Sequence, residues 1–332
     1  MTRIFLRLPA VALVAFAVFF SSTPSQAAEP AIFPERPIRI ILNGAPGGGL
    51  DILSRQLGER LQQAWGQAVI TDNRPGAGGN IAFGAVAKAA PDGYTLLLTT
   101  DGISAAPSLG IKGAVNPLTD FEAVSLLALT TDVLLVRADS PIKTLADFKR
   151  TAIERAAAGK PLTAGSPGPA TSSHLSGALY GLRAGIDWTH VPYKGGPPAI
   201  NDLLSGQTDA LWILAAPVVP HVKSGRLRAI AVTSEARNAA LPDVPSVAEA
   251  GQPDATVVNW LGILAPKGTP RAVIDKLSTE LNRIVLHPAL RPTLIQQGFM
   301  PDGRDAAVLE RQIRNNVKLW ANVIEQARIR LD

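Results

Sequence analysis

Cysteine is absent from the 332 residues. That removes disulfides, thiol nucleophiles and the cysteine of a lipid anchor, so the chain must hold together by packing alone. Histidine is scarce. His174, His190, His221 and His287 show no i, i+3 or i+4 pairing with one another, and there is no HExxH run or clustered carboxylate pattern. No metal site or metal cofactor is expected. The formal charge is only +5, with no block of basic residues, which argues against nucleic acid as a partner. Glycines are plentiful around residues 44–49, but no Gly-Lys-Ser/Thr follows and the spacing is not GxGxxG. Phosphoryl and hydride transfer therefore have no sequence support.

One long apolar run does occur, at the start. Arg3 and Arg7 precede a nearly continuous apolar stretch over residues 8–20, interrupted by Pro9, and Ser25-Gln26-Ala27 offers a small-x-small site. This reads as an export signal, residues 1–27, cleaved near Ala27. About a dozen apolar residues is short for a bilayer span. Without a lipid anchor, the mature protein is expected free in the periplasm. The roughly 300 residues that follow suit two domains better than a single core.

The most informative segment is 37–51, PIRIILNGAPGGGLD. An apolar run breaks through glycines into helix formers. Such a turn leaves unpaired N–H groups at the helix start, where the helix dipole also favours an anion. The theme repeats. Strands are expected at 38–42, 68–72, 94–100, 162–165, 188–193, 210–214, 227–232 and 260–265. Helices are expected at 51–65, from about 80 to 90, near 174–182, at 199–205, at 270–286 with Thr269 as cap, and from a cap at Asp305 to about 327. Apolar strands alternating with helices indicate parallel sheets covered on both faces. The runs VSLLAL and DVLLV around Thr130-Thr131 look like a passage between domains. A return falls within about 235–255. The resulting division is lobe 1, residues 28–130 and 251–332, and lobe 2, residues 131–250.

Ligands of open α/β sheets sit beyond the carboxyl ends of strands. The turns at 43–51, 100–104, 164–173, 193–196 and 214–217 all follow strands and would converge on one cleft if the lobes face each other. They bring Gly48, Lys194, Gly195 and Ala216 into consideration, Lys194 as a point charge. Asp51 fits either a helix-start carboxylate or a ligand contact. Asp101 has the same two readings, and the ligand-facing one is favoured. Arg74 and Gly76–Gly79 fit a structural turn better than direct contact. Ser166 stands in AGSPG, which lacks the glycine of a nucleophile elbow, and Pro167 lacks the N–H of an oxyanion donor. A hydroxyl offered to a ligand and an ordinary turn both remain open for it. His174 begins a helix that could face the cleft.

Seven blocks carry a family resemblance: APGGGLD at 45–51, DNRPGAGGNIA at 72–82, APDGYTLL at 90–97, VPYKGG at 191–196, PHVKSGRLRAIAVTS at 220–234, LPDVPSVAEAG at 241–251 and LGILAPKGTP at 261–270. Together they resemble the substrate receptors of tripartite tricarboxylate transporters, the Bordetella uptake gene receptors. The resemblance implies a type II periplasmic binding protein: two α/β lobes joined by two crossover strands, with no catalysis. It implies a monomer that takes a small carboxylate (a di- or tricarboxylate, amino acid or aromatic acid) and delivers it to membrane transporter subunits. Carried over by position, Ala45, Pro46, Gly47 and Asp51 from one lobe and Gly165, Ser166, Thr171 and Ser172 from the other would grip the ligand. The chain departs from many relatives at Asn43-Gly44, at 99–106 and at 212–216, so ligand identity does not transfer. Asp101 beside an anion site points weakly to a zwitterion or hydroxyacid. The rival readings are a secreted hydrolase using Ser166 and His174, and a sensor partner that presents its ligand to a membrane kinase.

Overall fold

Two sheets organise the chain in a computed structural model that describes Thr2 and residues 33–331. The expected export signal therefore lies, apart from Thr2, outside the described residues. The first sheet starts with β1 (Ile38–Leu42), continues through helix α1 (Gly49–Trp65) to β2 (Val69–Asn73), then through α2 (Asn80–Ala87) to β3 (Thr95–Thr100) and on to β4 (Phe121–Thr130). After Thr131 the chain enters the second sheet as β5 (Asp132–Arg137). There follow α3 (Leu145–Ala157), β6 (Thr163–Ser166), α4 (Ser172–Ala184), β7 (Thr189–Pro192), α5 (Gly196–Ser205), β8 (Ala210–Leu214), the short α6 (Val219–Lys223) and β9 (Leu227–Val232). β10 (Asn259–Pro266) returns to the first sheet, followed by α7 (Arg271–Val285), α8 (Arg291–Gln296), β11 (Met300–Asp305) and α9 (Ala306–Gln326).

The strand orders are β11-β4-β10-β3-β1-β2 and β7-β6-β8-β5-β9. Each sheet is mixed rather than all parallel. β1 pairs in parallel with β2 and β3, as helical crossovers require. β10 runs antiparallel to β3 and β4. In the second sheet β6 is parallel to β7 and β8, whereas β5 is antiparallel to β8 and β9. Strands β5 and β10 are those by which the chain arrives from the other sheet, so no helical crossover on their own sheet dictates their direction.

Local sequence explains most elements. β1 is IRIIL, with Ile38, Ile40 and Leu42 wholly buried on one face and Ile41 buried on the other, as expected for a strand covered on both faces. In α1, Leu50, Leu53, Leu57 and Leu61 fall on one buried face at helical spacing. Thr144 and Asp147 form a reciprocal capping box that starts α3. Asp305 caps α9 by accepting the Val308 N–H at 3.1 Å. Thr269 does not cap α7: its hydroxyl donates to the Pro266 carbonyl at 2.8 Å, and Pro270 stands at the N-cap position with no side-chain bond. Among the described residues no helix is long and apolar enough to cross a membrane.

Separate apolar cores hold each sheet against its helices. A further cluster joins elements of both lobes, packing Ala105 and Leu109 with Ala170, Leu175, Trp320 and Val323. The crossings are tied together by buried polar groups. Thr131 Oγ1 lies 3.1 Å from Thr233 Oγ1 and accepts the Ser234 N–H at 3.1 Å. The Asp132 carboxylate accepts from Ser173 Oγ at 2.5 Å, from Ser176 Oγ at 2.8 Å and from Asn259 Nδ2. One buried side chain thus connects the start of β5, the start of β10 and the first turns of α4. Burial pushes its pKa up, against the lowering effect of those three donors.

Candidate functional site

Three helices begin at one cavity. β1 ends at Leu42, and the chain turns through Asn43–Gly48 into α1, whose N-cap Gly48 makes no side-chain cap bond. β6 ends at Ser166, and a proline-rich turn leads to Thr171, the N-cap of α4. β7 leads through Tyr193 and Lys194 to Gly195, the N-cap of α5, again without a side-chain cap. Residues 48–50, 171–173 and 195–196 all line the same cavity of about 330 Å³. Its wall is completed by the 75–79 turn and Thr100 from the first lobe and by Pro167–Pro169, Ile213, Leu214 and Pro217 from the second.

The lobes touch at the rim. A Cβ built on Gly195 would stand 2.3 Å from the Ala45 Cβ, and one on Gly47 would meet Pro197 at 3.5 Å. Gly195 has φ +113° and Gly47 has φ +77°, backbone that only glycine adopts without strain. These turns could not carry larger residues and keep the same closeness.

The wall is chemically one-sided. Among the described residues lining it, Lys194 carries the one formal charge and none is acidic. The dipoles of α1, α4 and α5 add partial positive charge, although Thr171 Oγ1 already accepts the His174 N–H at 3.4 Å and Pro197 and Pro198 remove two donors from the first turn of α5. Tyr193 is held neutral: its hydroxyl donates to Asp202 at 2.8 Å, and burial together with that carboxylate pushes its pKa up to about 12.

Of the residues expected at the site, Ala45, Gly48, Thr171, Ser172, Lys194 and Gly195 line the cavity. Pro46, Gly47, Asp51, Asp101, Gly165, Ser166 and Ala216 do not. Pro46 and Gly47 are exposed outside it. Asp51 serves the turn: its Oδ2 accepts the Gly47 N–H at 3.0 Å and Arg55 Nε at 2.9 Å. Burial, the largest single effect, raises its pKa, but those two bonds, the Arg55 charge and a bond from Asn73 together hold it below the usual carboxylate value.

The ligand-facing reading of Asp101 is corrected. The residue is fully buried and accepts from Trp320 Nε1 at 3.1 Å, because the 3-10 turn after Thr100 carries it inward. Desolvation, reinforced by the charge of Asp132, pushes its pKa well up. Gly165 is covered by the rings and methyls of Tyr193 and Leu211, and Ala216 is buried behind the strand end. The 76–79 glycines, read as a structural turn, do line the cavity. So do Asn43, named above as a departure from relatives, and Leu50 and Ser173. The strand-end rule had marked their turns without ranking the residues within them.

The proposed Ser166–His174 pair does not form. Ser166 Oγ is buried and donates to the Gly168 carbonyl at 2.9 Å, with His190 Nε2 at 2.7 Å. His174 Nδ1 instead accepts the Ala170 N–H at 3.0 Å. The two imidazoles stack with centroids 3.7 Å apart and planes at 7°. Desolvation brings His190 down to about 4, and desolvation plus the neighbouring ring brings His174 down to about 3. Both rings are therefore neutral across ordinary pH, and the serine hydroxyl is turned away from the cavity.

Residues 53–329 match the model of the family described as tripartite tricarboxylate transporter family receptor, TctC. Three solved structures resemble the whole fold. The periplasmic binding protein BugD is 33% identical, with a TM-score of 0.83 over 90% of this chain and 99% of that one. MatC from Rhodopseudomonas palustris with bound malate is 31% identical, with a TM-score of 0.82 over 88% and 100%. R. palustris Rpa4515 with adipate is 31% identical, with a TM-score of 0.84 over 90% and 99%. The matched family is one of receptors rather than enzymes. With two mixed sheets, two crossings and a shared cavity at the strand ends, the chain belongs to the TctC family of solute-binding receptors.

Proposed function

We propose that this receptor captures a small carboxylate between its lobes and delivers it to the membrane subunits of a tripartite tricarboxylate-type transporter. It acts as a periplasmic monomer after cleavage near Ala27, with residues 28–130 and 251–332 moving against 131–250. One observation carries the reading: three helix starts from both lobes meet in a cavity whose described lining has no acidic side chain. Backbone N–H groups in the first turns of these helices, at Gly49, Leu50, Ser172, Ser173 and Gly196, would take the carboxylate oxygens. Those of Gly48, Thr171 and Gly195 already donate to the Ala45, Gly168 and Pro167 carbonyls. Ala45 would line the grip, and Lys194 would add charge at the rim. The malate and adipate bound to MatC and Rpa4515 support an acid as ligand.

The energetics suffice. Micromolar affinity corresponds to about −8 kcal/mol. Two or three hydrogen bonds to a charged group contribute roughly 1.5–3 kcal/mol each, and burial of the ligand's apolar part adds to this. An acid bound to one lobe gains the other lobe's donors only on closure, so binding shifts the population toward the closed form. That form then presents a distinct face to the membrane subunits.

Native mass spectrometry of protein purified from its host, followed by calorimetry with the acid and its neutral amide, tests this. A co-purifying acid whose amide fails to bind is expected. A neutral or cationic ligand bound more tightly than any acid would overturn it.

A further inference from the structure

Resting on the ligand reading above, we infer that His174 and His190 are positioning residues for the grip. As neutral rings they hold the 167–171 turn in its ligand-facing shape, and protonation releases it. The turn serves both the cavity and the lobe contact. Pro167, Gly168, Pro169 and Thr171 line the ligand cavity. Against lobe 1, a Cβ built on Gly78 would stand 3.2 Å from the Pro169 carbonyl oxygen and 3.6 Å from the Ala170 Cβ.

The turn does not keep this shape unaided. Ala170 has φ +54°, left-handed backbone that an alanine adopts only where its surroundings impose it. Two imidazoles outside the cavity supply the constraint. His174 Nδ1 accepts the Ala170 N–H at 3.0 Å. Ser166 Oγ accepts the Gly168 N–H at 3.2 Å and donates to the Gly168 carbonyl at 2.9 Å. That uses the one hydroxyl proton, so His190 Nε2–H, at 2.7 Å, donates to the serine oxygen.

This arrangement needs uncharged rings. A proton on His174 Nδ1 replaces the acceptor with a donor aimed at the Ala170 N–H. Two charged rings would face each other across a stack of 3.7 Å. The pKa values fall from 6.5 to about 3 for His174 and about 4 for His190, through desolvation and, for His174, the neighbouring ring. The held turn is therefore favoured in full above pH 6.5 and loses ground as pH falls. Both rings also line a separate cavity of about 610 Å³ between α4, β7 and the residues after α9, which gives protons a route to them. Asp187, before β7, and Arg328, after α9, are the other charged side chains on its wall.

The double variant His174→Asn/His190→Gln keeps an acceptor in place of Nδ1 and a donor in place of Nε2, and cannot titrate. Amide hydrogen exchange read by mass spectrometry reports on residues 166–172 without any ligand. From pH 7 to 5 their protection factors should fall at least about tenfold in the native protein and stay within about threefold in the double variant. His174→Phe keeps a ring in the stack but loses the acceptor. At pH 7 it should expose the turn and weaken calorimetric binding of malate or adipate, the acids used as probes, at least about tenfold. The double variant should bind them as the native protein does. Equal pH dependence of protection in the native protein and the double variant would overturn the inference. So would a His174→Phe protein with native affinity. If the native protein binds neither acid, that counts against the carboxylate reading, and the exchange comparison still decides whether the rings hold the turn.

Discussion

Gly195→Ala places one methyl group where the two lobes touch. The built Cβ lies 2.3 Å from the Ala45 Cβ, whereas carbon pairs settle near 3.5–4.0 Å. The α5 turn and the α1 turn must separate by about 1–2 Å to accept it. That displacement draws the α5 helix start back from a ligand seated at α1. Losing one hydrogen bond to a charged group costs about 1.5–3 kcal/mol, or roughly ten- to hundredfold in affinity. The backbone at Gly195, φ +113° and ψ 175°, also disfavours alanine by about 1–3 kcal/mol, so stability falls too. Gly185→Ala separates the two effects. Gly185 has φ +66° at the end of α4, with open space where a Cβ would go. It should lose about 1 kcal/mol of stability and keep full affinity. Calorimetry with the co-purifying acid, alongside chemical denaturation of both variants, reads each quantity. A Gly195→Ala protein that binds within twofold of the parent would refute closure across this contact.

The stacked histidines predict an acid-sensitive fold. Their pKa values drop from 6.5 to about 3 for His174 and about 4 for His190, so the unfolded chain binds more protons below pH 6.5. Stability is fully present above that pH and declines below it, by up to about 1.4 kcal/mol per pH unit for each ring. Melting temperatures from pH 7.5 to 4.5 should fall more steeply for the native protein than for a His174→Gln/His190→Gln double variant, and parallel curves would contradict the assignment. Asp132→Ala should cost at least about 3 kcal/mol in urea denaturation, because it leaves Ser173, Ser176 and Asn259 without their buried acceptor. A loss under about 1 kcal/mol would show that this carboxylate does not tie the crossings together.

What the sequence revealed depended on how local its cause was. β1 and α1 were legible because an apolar strand, a glycine turn and a leucine face are all written within 38–65. The passage between sheets was legible because Thr130-Thr131 interrupts two apolar runs, and it proves to be the junction of β4 and β5. α3 passed unnoticed although Thr144 and Asp147 spelled its cap. β11, with Pro301 and Gly303 inside it and an irregular register against β4, has no strand-like composition. Asp101 misled because strand-end logic locates a turn but not the rotation of its side chain, which here is fixed by Trp320, 219 residues away. The pairing of His190 with Ser166 and His174 likewise arises from the meeting of β6, β7 and α4, and no spacing announces it. The site as a set of turns could be read, whereas its division into lining and supporting residues required packing.

A crystal structure of the receptor with a bound acid would test the central claim most directly. We expect carboxylate oxygens within about 2.7–3.2 Å of backbone N–H groups from both lobes, at residues 49–50, 172–173 and 196. An acid held by Lys194 alone at the rim, or seated away from these helix starts, would contradict it.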